Sequence, residues 1–389
     1  MLAAALGWCA IAAANSAANG HAAATGGFVA SGGPHTFKNA PGVYEYVFSA
    51  RRGPSPFDTI ALHRITRGPS PAAHHAIVML YLPGTNMNGE VAIDSERFSM
   101  PLYMAAHGVD FWALDYRTHF VPPSTPPNRL RELRGWTNQL FESDIDAAAR
   151  FVMARTGRDR IFVSGFSRGV SFAYLYAAEH PRRVAGLVMF DGWNGHGRPG
   201  SPPRDLFAED VSGKHLTWDK RQALLRIVID NPDAPAPIAG FANAGDNLAH
   251  VVYDSRSFGG KGGLSNPFGG FANVRVLARV LFRFDRYWPI AQDYEDSFTT
   301  PLLESLRGSR IPVLAFSSTN IAPGWPRRVA ASASETGSGD VTVVKLESWG
   351  HLDVICGTQA RERVFEPAAR WLMRHRTRAD IQAYRGGAV

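Results

Sequence analysis

Asp159-Arg160-Ile161-Phe162-Val163-Ser164-Gly165-Phe166-Ser167-Arg168-Gly169-Val170-Ser171-Phe172-Ala173 is the stretch on which the reading of this 389-residue chain turns. Ile161, Phe162 and Val163 form an apolar, β-prone run, and Val170 to Glu179 continues in a helical pattern. Between them stands Gly165-Phe166-Ser167-Arg168-Gly169, a G-x-S-x-G sequence that puts a serine at the apex of a strand–turn–helix. The glycines have a steric reason. Strand and helix must pass close to a strained serine, and a side chain at 165 or 169 would stand in the way. The helix aims its N-terminal amides at the serine, where they can meet a developing negative charge. The same pattern occurs in ordinary turns, but a strand before it and a helix after it favour the chemical reading.

The chain on either side alternates strand and helix. Val43 to Phe48 and Thr59 to Ile65 suit two strands, separated by a turn around Arg52-Gly53-Pro54. Ala76 to Leu82 is apolar throughout, which fits a strand buried on both faces of a parallel sheet. It ends in the turn-rich loop Pro83-Gly84-Thr85-Asn86-Met87-Asn88-Gly89. A helix over Ser95–His107, a strand over Asp110–Leu114 and an amphipathic helix over Thr137–Arg155 lead to the serine turn. After it come strands at Val184–Phe190, Ile311–Phe316 and Val341–Leu346, and a closing helix over Arg361–Arg376. The expected class is α/β, a doubly wound and mostly parallel sheet.

The alternation lapses between Trp193 and Gly308. That interval holds helical patterns at Trp218–Asp230 and Phe271–Phe284 around the glycine-rich span Phe258 to Gly263. An insertion of this length at the C-terminal edge of a sheet reads as a helical cap, set between strands six and seven; a helical appendage remote from any substrate is the alternative. Core segments at 43–192 and 309–389 therefore flank a cap at 193–308. Residues 25–42, rich in Gly, Ala, Ser and Pro, read as a linker. Residues 1–24 are alanine-rich and resemble the apolar region of a secretory signal, although no Lys or Arg precedes Lys38. Export to a periplasmic or extracellular space is the expectation, with the cytoplasm as the alternative.

Composition bounds the partners. Hydrophobic content of 45% and charge of 19% are those of a globular chain. The net charge of +7 comes mostly from scattered arginine with no dense basic run, so a solvated surface is favoured over nucleic-acid binding. No apolar run after the N-terminal segment is long and clean enough to span a bilayer. Cys9 and Cys356 define no disulfide framework, and Cys356 reads as a small buried residue. His74 and His75 alternate faces of one strand, and no cluster has metal-ligand spacing.

A serine hydroxyl needs a base within hydrogen-bond reach. In an elbow of this kind the chain order is nucleophile, acid, histidine. Two histidines follow the last strands. His351, in Ser348-Trp349-Gly350-His351-Leu352-Asp353, sits directly after the final strand, whereas His375 lies on a basic helix face. His351 is the candidate base. Asp353 and Glu347 flank it as salt-bridge or capping residues.

From about Val43 to Arg376 the chain resembles the α/β-hydrolases, on the strength of the Ser167 elbow, the Gly350-His351 loop and the Leu82-Pro83-Gly84 loop. The resemblance implies an oxyanion hole from the backbone amides of Thr85 (or Asn86) and Arg168, and a hydrolase that needs no cofactor. It also implies an acid after strand seven, and there the chain departs from the family: the matching position is Asn320. Asparagine orients an imidazole but does not stabilise imidazolium by charge. Other members place the acid after strand six, which here is Asp191 of Met189-Phe190-Asp191-Gly192-Trp193. The resemblance thus implies a Ser167-His351-Asp191 serine hydrolase acting on a carboxylic ester, thioester or lactone. Asn320, or an acid from the cap, is the alternative to Asp191.

Trp218, Phe241, Phe258, Phe268, Phe271, Phe282, Phe284 and Trp288 could line an apolar acyl or aryl pocket or form the cap's own core. Two rivals stay open. One is an exported aminopeptidase-like enzyme with Asp293, Glu295 and Asp296 as an amine-binding patch, against which those carboxylates read as a solvated face. The other is a catalytically silent binding protein on the same scaffold, a reading that Asn320 keeps open.

Overall fold

The run Ile77–Leu82 is buried from end to end, and its side chains divide between two cores. Ile77, Met79 and Tyr81 enter one hydrophobic cluster while Val78, Leu80 and Leu82 enter the other, as the two-residue period of a strand requires. A strand of this composition is stable only in the middle of a sheet covered on both faces. The computed structural model describes residues 27–68, 77–92, 97–195, 200–212, 217–250, 272–295 and 297–376. The signal-like segment 1–24 with Cys9, the pair His74 and His75, the glycine-rich span with Phe258, Phe268 and Phe271, and Asp296 lie outside the described residues.

The strands are β1 (Val29–Phe37), β2 (Ala40–Arg51), β3 (Thr59–Arg67), β4 (Ile77–Leu82), β5 (Val109–Asp115), β6 (Ile161–Phe166), β7 (Val184–Phe190), β8 (Ala208–Asp210), β9 (Tyr287–Pro289), β10 (Val313–Ser318) and β11 (Val341–Leu346). Nine of them form one sheet in the order β1-β2-β3-β5-β4-β6-β7-β10-β11, and β8 and β9 form a separate antiparallel ribbon. From β5 to β11 every pairing is parallel, while β1, β2 and β3 run antiparallel to their neighbours. The sheet is mostly parallel, as expected. Three strands were not foreseen: the short β8 and β9, and Val29–Phe37, which lies within the stretch that reads as a linker and pairs with β2 as a hairpin.

The helices in chain order are α1 (Met100–Ala106), α2 (Asn138–Thr156), α3 (Arg168–Glu179), α4 (Trp218–Asp230), α5 (Ala244–Ala249), α6 (Val274–Phe282), α7 (Thr300–Ser309), α8 (Trp325–Ser334), α9 (Asp353–Cys356) and α10 (Glu366–His375). Local chemistry sets their ends. Thr137 caps α2 by accepting from the Leu140 N–H, and Gly157 ends it in the left-handed conformation at φ 65°. Asn273 caps α6, and α7 and α8 each carry proline in the first turn. α1 and α10 pack in the core on one face of the sheet, α2 and α3 in the core on the other.

The parallel register brings the strand ends level. Phe166 of β6, Phe190 of β7 and Phe316 of β10 stand side by side, Leu82 of β4 is opposite Gly165, and Ser318 is opposite Leu346. The loops that follow these positions carry Thr85, Ser167, Asp191, Asn320 and His351. Residues 193–308 leave the sheet after β7 and return before β10, and contain β8, α4, α5, α6, β9 and α7. Cys356 is buried, and burial pushes its thiol up, away from thiolate chemistry.

Candidate active site

Ser167 occupies the turn between β6 and α3 at φ 56°, ψ −120°, a conformation that costs about 1–3 kcal/mol. Its N–H donates to the Phe190 carbonyl at 3.1 Å, which locks the turn to the end of β7. Both elbow glycines answer to close approach. A Cβ on Gly165 would run into the backbone of Gly169, and one on Gly169 into the Leu82 carbonyl. Of the five non-glycine residues with positive φ among those described, four (Asn86, Ser167, Asp191 and Ser348) lie on the loops at this end of the sheet. Strain is gathered where chemistry would occur.

Asp191 follows β7 directly and is fully buried. Its Oδ2 lies 2.6 Å from His351 Nδ1. Three further donors converge on the same carboxylate: the Ser318 N–H at 2.7 Å, the Ser318 hydroxyl at 2.6 Å and the Trp325 indole N–H at 2.9 Å. Together these contacts fix the position of the carboxylate against His351. The imidazole is fixed on its faces as well. Phe166 stacks on it with ring centroids 4.5 Å apart, and Trp325 meets it edge-on at 6.0 Å. Nδ1 is committed to Asp191, so Nε2 is the nitrogen left for exchange with a substrate or nucleophile.

Asn320 stands elsewhere. Its side-chain amide donates to the Ser348 carbonyl at 2.6 Å and its N–H to the Trp349 carbonyl at 3.0 Å, so it fastens the loop that carries His351. Asp353 accepts from the Gly350 N–H in the same loop, and Glu347 pairs with Lys345. His375 bonds Trp371 and Asp340, away from the cleft.

Thr85 and Arg168 face each other across the elbow. Arg168 opens α3, so its N–H belongs to the first turn, whose amides have no helical acceptor. Its guanidinium is buried and turned from the sheet edge: it pairs with Asp293 and donates to Thr85 Oγ1 at 3.2 Å. Burial lowers the Arg168 pKa, and the Asp293 carboxylate limits that shift without reversing it. Asp293 is thus buried in an ion pair, and Glu295 accepts from the Asn138 N–H. Neither is the solvated face that the sequence suggests.

A cleft of about 600 Å³ opens between these groups. Ser167, His351, Gly84, Thr85 and Arg168 line it together with Met87, Phe166, Trp193, Phe284, Ile321, Trp325, Arg328 and Leu352. Of the aromatics that the sequence offers for a pocket, Phe284 reaches the cleft. Trp288 packs against Tyr116 and Phe141 instead. Met87 and Phe284 also line a smaller apolar cavity of about 30 Å³ with Tyr81, Phe98, Met100 and Ile355.

Sequence reasoning missed the tie that holds the Phe284 wall in place. The Asp285 N–H donates to the Asn86 carbonyl at 2.7 Å, and the Asn86 amide returns a bond to the Asp285 carbonyl at 3.0 Å. Asn88 donates to Asp285 Oδ1 at 2.9 Å and to the Arg283 carbonyl at 2.7 Å. Below this knot, Thr118 donates to Asp285 Oδ2, His119 contacts Asp285 Oδ1 at 3.0 Å, and His63 bridges Glu45 and Asp115. Burial alone would lower the His119 pKa, but Asp115 and Asp285 raise it to about 10. Burial alone would raise Asp115, yet His119 and His63 draw it down to about 2. No His, Cys, Asp and Glu group with metal-binding geometry occurs among the described residues.

No protein-family model matches the chain, and no curated protein matches it. Among solved structures, a candidate lipase from Sulfolobus solfataricus superposes with a TM-score of 0.73 at 23% identity, covering 90% of this chain and 99% of its own. The fold is the α/β-hydrolase fold. Other structures found similar include a thermophilic esterase from Thermogutta terrifontis (14% identity, TM-score 0.46, 90% of this chain and 100% of that one). A monoacylglycerol lipase from Paleococcus ferrophilus is another (13% identity, TM-score 0.44, 78% and 96%). These are likenesses of fold. The segments after β4, β6, β7, β10 and β11 converge on the cleft.

Proposed function

We propose that the protein is a serine hydrolase that cleaves carboxylic esters through Ser167, His351 and Asp191. Ser167 Oγ attacks the acyl carbonyl while His351 Nε2 accepts its proton, and the imidazolium so formed is stabilised by Asp191 through Nδ1–H. The N–H groups of Arg168 and Thr85 receive the oxyanion, each contributing roughly 3 kcal/mol of transition-state stabilisation. His351 then returns the proton to the leaving alkoxide. Water, deprotonated by the same nitrogen, releases the acid from the acyl-enzyme and restores Ser167. No step calls on a cofactor.

The observation that carries this reading is the 2.6 Å contact between His351 Nδ1 and a buried, four-donor Asp191, in a cleft shared with the strained Ser167. The apolar lining supports an ester with an apolar acyl or aryl part. Residues 193–308 act in this reading as a cap that supplies Trp193 and Phe284 to the cleft walls. The peptidase rival has less in its favour, because Asp293 and Glu295 are engaged within the protein. Residues 1–24 mark the chain for export in this proposal, and no helix among the described residues is long and apolar enough to cross a membrane.

A fluorophosphonate probe tests the chemistry directly. The wild type is expected to label and Ser167→Ala to remain unlabelled. Asp191→Asn is expected to keep the fold and lose about 10³–10⁴ in kcat on 4-nitrophenyl esters, since the histidine loses its charged partner. Failure of the folded wild type to label would favour the silent binding protein. Near-normal turnover by Asp191→Asn would remove the acid assignment.

A further inference from the structure

Beyond Thr85, Ser167 and His351, the polar side chains that line the cleft are two arginines, and the two are not equivalent. Arg168 is neutralised by Asp293. Arg328 is exposed, and its guanidinium carbon lies 5.0 Å from the centroid of the Trp193 ring, within the range of a cation–π contact. No carboxylate lies within salt-bridge distance of Arg328 among the described residues, and no Asp or Glu lines the cleft. A cation with no carboxylate partner among the described residues, at a cleft whose walls include Met87, Phe284, Ile321 and Leu352, is a charge open to an anionic ligand.

We infer that Arg328 receives a carboxylate carried by the substrate, so that the preferred substrates are esters with a free carboxylate at the end remote from the scissile bond; this rests on the hydrolase reading above. Geometry prepares the group for the task. Trp325 and Arg328 are three residues apart and share one face of α8. The indole of Trp325 is bonded to Asp191, so the helix that presents Arg328 is registered to Ser167 and His351 through that contact. The cation–π contact with Trp193 restrains the guanidinium, which reduces the rotamer freedom lost on binding. One uncompensated cation matches a carboxylate. A phosphate monoester, with a charge of about −1.5 to −2, would call for more positive charge than the lining offers.

Two ester pairs test this, each matched except for the carboxylate. 4-Nitrophenyl hydrogen adipate against 4-nitrophenyl hexanoate places the charge on the acyl side; 4-carboxyphenyl butyrate against phenyl butyrate places it on the alcohol side. In at least one pair the charged-to-neutral ratio of kcat/KM is expected to fall about tenfold in Arg328→Gln, through KM, and to recover partly in Arg328→Lys. Raising the salt concentration should lower the same ratio in the wild type. Ratios unchanged in both pairs overturn the inference while leaving the hydrolase reading standing. Monomethyl adipate binding to Ser167→Ala, followed by tryptophan fluorescence, separates the two claims. Saturable binding that weakens about tenfold when Arg328→Gln is added, alongside a wild type that turns over no ester, would sink the hydrolase reading and keep the carboxylate site. Absence of binding and of turnover would sink both.

Discussion

Ser318 meets Asp191 twice, through its N–H and its hydroxyl, and only the second contact can be removed by substitution. Ser318→Ala takes away one charge-assisted bond to a buried carboxylate, a change of about 1.5–3 kcal/mol, while leaving the backbone donor and the Trp325 donor in place. Turnover of a 4-nitrophenyl ester is expected to fall about ten- to a hundredfold in kcat with little change in KM. Asn320→Ala, which loosens only the loop behind His351, should cost less than tenfold. The reverse ranking would mean that Asn320 does the work of the acid. At this scale the sequence makes Ser167 and His351 legible, because a motif and a chain order point to them. Asp191 is readable as a strand-end Asp-Gly pair. Ser318 and Trp325 are not, since they stand 127 and 134 residues from Asp191 and meet it only through the register of β7 and β10. The positive φ at Asn86, Asp191 and Ser348 is hidden for the same reason, as each is imposed by neighbours distant in the chain.

Among elements, the crossing of α3 over β4 is the tightest. A Cβ at 169 would meet the Leu82 carbonyl, which is backbone on both sides and cannot rotate away. Gly169→Ala should therefore force β4 and α3 apart and destabilise the protein by about 3 kcal/mol or more, seen as a large loss of Tm or as insoluble expression. Ala at 157, where φ is 65° but nothing crowds the Cβ, should cost only about 1 kcal/mol. Strands and helices with strong periodicity were readable to within a few residues, α4 over Trp218–Asp230 without any difference. β1 was not, because Ser31-Gly32-Gly33-Pro34 carries turn chemistry and the strand is held by a single neighbour with irregular register. Its side chains are mostly exposed, so no apolar alternation marks it.

For the whole molecule, the buried charges set the response to pH. Glu142 of α2 is buried, and neither of its carboxylate oxygens has a partner among the described residues. Burial, helped by Glu179 and Asp146, raises its pKa well above the ordinary 4.5. The folded protein then holds a proton that the unfolded chain releases above about pH 4.5, so this contribution to stability is full below that pH and is lost as pH rises through the folded value. Glu142→Gln should remove the slope. Its Tm advantage over the wild type is expected to widen from pH 5 to pH 9, and a constant difference would contradict the assignment. Arg64 and Asp110, joined by two bonds of 2.8 Å and almost wholly buried, are a charge pair of the core. Removing one partner with Asp110→Ala should cost about 3–5 kcal/mol, because a buried arginine would lose the carboxylate that answers its charge.

The knot at Asp285 has a kinetic meaning. Asn86 and Asn88 hold the chain on either side of Phe284 from the same loop that presents Thr85, so that wall moves only if the loop moves with it. A wall pinned in this way is not itself a shutter for an oil surface to release. If the proposed ester hydrolysis depends on this wall alone, the rate plotted against ester concentration is expected to pass through the solubility limit without a step.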